Sequence, residues 1–108
     1  MIYLASPYSH PDPKIKERRF QDVCRYAAAM FRNGIHVFSP IAHTHPISVY
    51  GLWEWKWEQW KEYDLEFIAM CSEMWVLMLP GWEESVGVAA EIKIAKGLGK
   101  PVRYVDRT

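Results

Sequence analysis

Four short, mainly apolar runs set the frame of this chain: IYLA (2–5), IHVF (35–38), MWVLML (74–79) and PVRYV (101–105). The first three stop at Ser6-Pro7, Ser39-Pro40 and Pro80-Gly81, pairs that end a strand and open a loop. Segments of helical spacing or helical length separate them, so the order reads β-α-β-α-β-α-β. Strands that are apolar along their length are buried on both faces, which is the habit of a parallel sheet covered by helices. The expected architecture is a three-layer α/β sandwich with a four- to five-stranded parallel sheet. Right-handed crossovers bring every strand's C-terminal end to one edge, where open α/β sheets bind ligands. Ser6-Pro7-Tyr8, Ser39-Pro40 with the histidine segment after it, and Pro80 through Ser85 should therefore gather on that edge.

The helices have their own signals. Asp12 is placed to cap and Pro13 to open the first, in which Phe20, Val23, Cys24, Ala27, Met30 and Phe31 recur on one face. Arg18, Asp22 and Arg25 face out, and Asn33-Gly34 is the expected stop. The basic run KIKERR (14–19) reads as the solvated first turns of that helix. Residues 41–51 show no period and are expected to form a loop. A long helix is expected over 52–72 and another over 85–98, closed by Gly97 and Gly99.

At 108 residues the chain is expected to be one domain, 1–108, with Lys plus Arg balancing Asp plus Glu at 13 each. That balance gives no global field to recruit a nucleic acid polymer or an anionic membrane. No apolar run approaches 18 residues and no basic leader precedes the first strand, so a cytoplasmic protein is expected. Cys24 and Cys71 sit in apolar segments without a CxxC pattern and read as free thiols. His43 and His45 have no third ligand at helpful spacing, so no metal is expected, and a loop His43 touching substrate or a neighbouring subunit is the better reading. No glycine-rich phosphate loop is present, and no cofactor is expected. Gly97-Leu98-Gly99-Lys100 follows a helix instead of opening one.

Two carboxylates break the apolar pattern. On the last helix, Gly87, Val88, Ile94, Ala95 and Leu98 share one arc, and Glu91 falls in its middle. On the helix before it, Trp53, Trp57, Trp60, Phe67, Ile68 and Cys71 form a stripe that contains Asp64. A carboxylate desolvated without a partner is costly and shifts its pKa. Each is therefore either satisfied by a local core partner or turned toward a pocket, where opposed pKa values suit nucleophile and acid/base roles. Ser85 is an N-cap, an anion contact, or both. Trp82 either stacks on a ring-shaped ligand or staples the helix. Tyr8, past the end of the first strand, is a better site candidate than Tyr3, which lies within it.

These residues resemble the motifs of the nucleoside 2-deoxyribosyltransferase-like superfamily, in particular a small bacterial and phage branch. YLASPY (3–8) is similar to its first strand and loop, SPIAHTHP (39–46) to the loop after the second, and WKEYDLEFIAMCSEMWVLML (60–79) to the helix and strand that follow. LPGWEESVGVAAEIKIAKGLGKPV (79–102) resembles the segment with a Ser or Asp six residues before a nucleophilic Glu; Gly87 also matches. The resemblance implies a Rossmann/flavodoxin-like fold and a covalent glycosyl-enzyme on Glu91. Asp64 then holds a sugar hydroxyl or assists protonation of the base, and Ser6 and Tyr8 line the pocket. Ser at position 85, as in members acting on nucleoside 5′-phosphates, tips the expectation toward a nucleotide N-glycosidase, while Glu83 and Glu84 weigh against a phosphate. Glu73 stands where the family often has Asp. The resemblance further implies a homodimer or homotetramer acting on a small nucleoside or nucleotide. Two other readings remain open: a non-catalytic nucleotide or nucleotide-sugar binder on this fold, and a structural oligomer whose carboxylates satisfy buried partners.

Overall fold

Strands β1 (Ile2–Ala5), β2 (Val37–Phe38), β3 (Glu73–Leu77) and β4 (Val102–Val105) form one sheet in the computed structural model, which describes residues 1–52 and 55–107. The sheet order is β2-β1-β3-β4 and every pairing is parallel. Tyr3 lies opposite Phe38 on one side and Met74 on the other, and Met74 opposite Val102. Helices α1 (Pro13–Arg32), α2 (Pro40–Ser48), α3 (Trp57–Met70) and α4 (Val86–Gly97) complete the fold, with a short 3-10 turn at Trp82–Glu84.

Side chains of β1 and β3 alternate between two apolar layers. Leu4, Trp75 and Leu77 join Val23, Tyr26 and Ala27 of α1 on one face. Tyr3, Ala5, Met74 and Val76 join Ile68 of α3 and Val88 and Ala95 of α4 on the other. Each fully buried Leu, Val or Ile side chain contributes about 1.5–3 kcal/mol relative to exposure, so these two layers hold the helices on opposite faces. The chain leaves β1 for β2 on one side and later crosses to β3 on the other. A crevice outside the C-terminal ends of β1 and β3 follows from that reversal.

The helix ends are capped as their sequences dictate. Asp12 accepts from the Lys14 amide at 2.9 Å, and Ser85 accepts from the Val88 amide at 3.2 Å. Asn33 closes α1, with Gly34 at φ +74 behind it. Both cysteines are free.

Several expectations are corrected. Residues 41–51 are not all loop, because Ser39 caps a helix that Pro40 opens, accepting from the Ala42 amide at 3.0 Å. Pro46 lies inside α2 and removes one helical donor, so the element stays short and shows no clear period. Helix α3 begins at Trp57, not near 52. Gly51 turns the chain at φ +130, and the helix starts where Gln59 Oε1 accepts from the Lys56 amide at 2.9 Å. Trp53, assigned above to the apolar stripe, lies outside the described residues. Phe31 is 57% exposed and Leu98 47%, each at the fraying end of its helix. Asp22 does not simply face out, since it accepts from Arg25 and from Arg107 beyond β4. Strands β2, β3 and β4 are each slightly shorter or shifted relative to the apolar runs.

Candidate functional site

Tyr3 points from β1 toward the α3/α4 face and is completely buried. Its phenol donates to Glu91 Oε2 at 2.5 Å. Glu91 occupies the inner face of α4, one turn after Val88 and one before Ala95, and is itself buried. Asp64 holds the matching place on α3, one turn after Trp60 and one before Ile68, and is buried as well. The two carboxyls are neighbours. Burial raises Glu91 well above the usual carboxylate range and the adjacent Asp64 charge raises it further, while the Tyr3 hydrogen bond opposes both. Burial likewise pushes Asp64 up to about 6, against hydrogen bonds from Glu91 and Tyr3. Two such close carboxyls resist ionising together, so the pair favours a state with one proton between them.

The two carboxyls form part of the wall of a cavity of about 290 Å³ at the crevice between β1 and β3. Ser6, the first residue after β1, also lines it. Its Oγ is buried and has no hydrogen-bond partner. An unpaired buried hydroxyl costs about 1–3 kcal/mol, a cost relieved by a polar ligand in the cavity. Trp55, Trp57, Trp60 and Tyr8 supply aromatic surface, and Lys56, Glu84, Ser85 and Gly87 contribute further lining. Flat apolar walls around a few convergent polar groups suit a small ring-bearing molecule.

Of the residues singled out from sequence, Glu91, Asp64, Ser6, Tyr8, Ser85 and Gly87 meet at this cavity. Ser85 already serves α4 as its N-cap. Tyr3 stands behind the cavity and reaches it only through Glu91. Trp82 packs on the apolar layer beneath α4, its ring 5.6 Å from that of Tyr104, and does not line the cavity. His43 is exposed beside Phe38 and Tyr63, with centroid separations of 6.0 and 6.2 Å. Its neighbour His45 takes the inward position instead, with Nδ1 2.6 Å from the Tyr8 hydroxyl. Trp57 and Trp60, members of the apolar stripe of α3, form cavity wall. Arg19, read as part of a solvated basic run, donates to the Ser9 carbonyl at 2.9 Å and reaches the Pro80 carbonyl at 3.4 Å, tying two edge loops together. Among the described residues no three His, Cys, Asp or Glu side chains are grouped to hold a metal, and no helix is long and apolar enough to cross a membrane.

Sheet order and cavity together define a flavodoxin-like α/β protein with paired carboxyls at its topological switch point. The chain belongs to the family described as a domain of unknown function (DUF1937), whose profile matches residues 1–107. No curated protein matches it. Among solved structures it is similar to the 2-deoxyribosyltransferase of the psychrotolerant bacterium Bacillus psychrosaccharolyticus, described as a biocatalyst for nucleoside synthesis. The two are 26% identical over 99% of this chain and 72% of that one, with a TM-score of 0.62.

Proposed function

We propose that this protein cleaves the base–sugar bond of a nucleoside, by hydrolysis or by transfer to a second base, through a glycosyl intermediate on Glu91. The observation that carries the reading is the buried Asp64–Glu91 pair in a cavity that also holds an unsatisfied Ser6 hydroxyl. A shared proton divides the roles. The Tyr3 phenol favours the ionised form of Glu91, whose oxygen attacks the anomeric carbon, while Asp64 grips a sugar hydroxyl beside it. Ser6 offers a second contact to the sugar, and Trp57 and Trp60 face the planar base. The similarity to a 2-deoxyribosyltransferase supports the same bond as the target.

Lys56 is the only cationic residue lining the cavity among those described, and Glu84 and the carboxyl pair oppose it. That balance favours nucleosides over nucleoside 5′-phosphates. Self-association belongs to the same proposal, with Trp55 and Val86 exposed at the cavity for a second copy to cover. Light scattering on the purified protein measures it.

A panel of ribonucleosides, 2-deoxynucleosides and their monophosphates, with free base followed by chromatography, tests the activity. Base release abolished by Glu91→Gln, with a sugar adduct on Glu91 detectable by mass spectrometry after quenching, is the expected result. Absence of released or exchanged base with every substrate refutes the proposal.

A further inference from the structure

A chain of three side chains leads from the cavity to solvent on the face opposite the carboxyl pair. Tyr8 lines the cavity and its hydroxyl lies 2.6 Å from His45 Nδ1. His45 Nε2 lies 3.0 Å from Glu17 Oε1. The imidazole is 14% exposed and the Glu17 side chain 49%, so the path ends in water. Phe20 stacks on the imidazole at 4.3 Å between centroids, and the Tyr8 ring meets it edge-on at 5.6 Å. The ring is therefore fixed between its two partners, and loop, α2 and α1 each supply one member.

Donor and acceptor roles follow from the ends. Glu17 also accepts from Gln21 at 3.0 Å, and these bonds from Gln21 and His45 hold its carboxyl below the usual range. An ionised carboxylate only accepts, so Nε2 carries a hydrogen. In the neutral ring Nδ1 then accepts the Tyr8 O–H. In the imidazolium, Nδ1–H donates to the Tyr8 oxygen and releases the phenolic hydrogen, which the neighbouring Ser48 hydroxyl or a ligand in the cavity can accept. The other charged groups at Tyr8 are Lys16, whose ammonium lies 5.0 Å from the ring, and Arg19, 3.4 Å from the Tyr8 carbonyl. Both come from α1, and neither lies within hydrogen-bonding distance of the hydroxyl.

We propose that Tyr8, loaded by His45 and Glu17, is the general acid that protonates the departing base. This rests on the N-glycosidase reading above. Displacement at an anomeric carbon places nucleophile and leaving group on opposite sides. Asp64 stands with Glu91 on the α3/α4 face, the nucleophile's side, whereas Tyr8 packs with the α1/α2 layer. In the first step a Glu91 oxygen bonds to the anomeric carbon and the carbon–nitrogen bond breaks, its electron pair going to the base. The base takes the Tyr8 hydrogen, Tyr8 takes the Nδ1 hydrogen, and the imidazolium becomes neutral imidazole. In hydrolysis water bonds to the anomeric carbon, the Glu91 oxygen leaves with its electron pair, and the water's proton returns through Tyr8 to Nδ1. His45 and Glu17 are positioning residues. The device serves N-glycosides whose base leaves as an anion and needs a proton, the ordinary neutral purine and pyrimidine nucleosides. It adds nothing for a pyridinium glycoside, whose base leaves uncharged.

Comparing wild type with Tyr8→Phe, His45→Gln and Glu17→Gln on a neutral nucleoside and on the matching nicotinamide glycoside tests this. Tyr8→Phe is expected to lower kcat about 100-fold on the neutral substrate and only a few-fold on the pyridinium one. His45→Gln and Glu17→Gln should show the same selectivity more weakly, with loss of the alkaline limb of the neutral substrate's kcat profile. Equal losses on both substrates overturn the acid role. A wild type inert on every substrate refutes the N-glycosidase reading itself, and the acid role with it. Histidine nitrogen chemical shifts followed across a pH titration decide the relay independently of turnover: a neutral form of His45 that carries its hydrogen on Nε2 is expected, and a neutral form that carries it on Nδ1 overturns it.

Discussion

Replacing both carboxyls by neutral isosteres, Asp64→Asn with Glu91→Gln, should make the fold less sensitive to pH by a calculable amount. Asp64 titrates at about 6 in the fold against an ordinary 3.8. Each pKa unit is worth 1.36 kcal/mol, so ionising Asp64 in place costs roughly 3 kcal/mol more than ionising it in the unfolded chain. A carboxyl whose folded pKa is raised binds its proton more tightly in the native state. Its contribution to stability is therefore intact below about pH 4, is lost as pH rises toward 6, and is fully lost above. Glu91 is raised as well, by burial and by Asp64, so its loss with rising pH has the same sign and the Asp64 figure is a lower bound.

Urea unfolding followed by tryptophan fluorescence, at pH 4 and pH 7.5, measures the effect. The stability of the double variant minus that of wild type should increase by at least roughly 3 kcal/mol between the two pH values. Any constant cost of the substitutions, such as a lost Tyr3 contact, cancels in this comparison. The two single variants complete a cycle that reports how strongly the carboxyls interact. A difference that stays flat from pH 4 to 7.5 refutes the claim that this pair is buried and shares a proton. A difference that shrinks with rising pH refutes its sign.

Three further substitutions probe the supports of the site. Tyr3→Phe removes the donor to Glu91 and should lower kcat for base release by about 10- to 100-fold, the worth of a hydrogen bond to a charged group, with far-ultraviolet circular dichroism unchanged. Ser6→Ala deletes a buried hydroxyl that has no partner, so the free protein should gain about 1 kcal/mol in denaturant unfolding while KM for the nucleoside rises; a destabilised variant contradicts the orphan hydroxyl. Gly81 sits at φ +92, and a Cβ there would meet Arg19 Nη2 at 2.5 Å. Gly81→Ala should cost about 2 kcal/mol, and trimming Arg19 to Met in the same chain should recover the steric part but not the backbone strain.

What the sequence displayed and what it hid divide along a physical line. The sheet was legible because apolar runs ended by Ser-Pro or Pro-Gly leave little alternative to buried parallel strands. Helix α2 was hidden because its cap and two prolines set its bounds while its side chains follow no period. His45 was not distinguishable from His43, since its partner Glu17 lies 28 residues away on another helix. The tryptophans show the same limit, because an apolar stripe looks alike whether it meets a core or lines a cavity. The carboxylates supply the missing measure of depth. On α3, Trp60 lines the cavity, Asp64 follows one turn later, and Ile68 one turn beyond is sealed in the apolar layer. On α4, Gly87, Glu91 and Ala95 repeat that progression at the same spacing of four. A charge inside an apolar stripe thus marks the level at which the cavity ends and the core begins. Two helices whose marks coincide at one level, with Tyr3 of β1 behind them, place the cavity floor where the paired carboxyls stand.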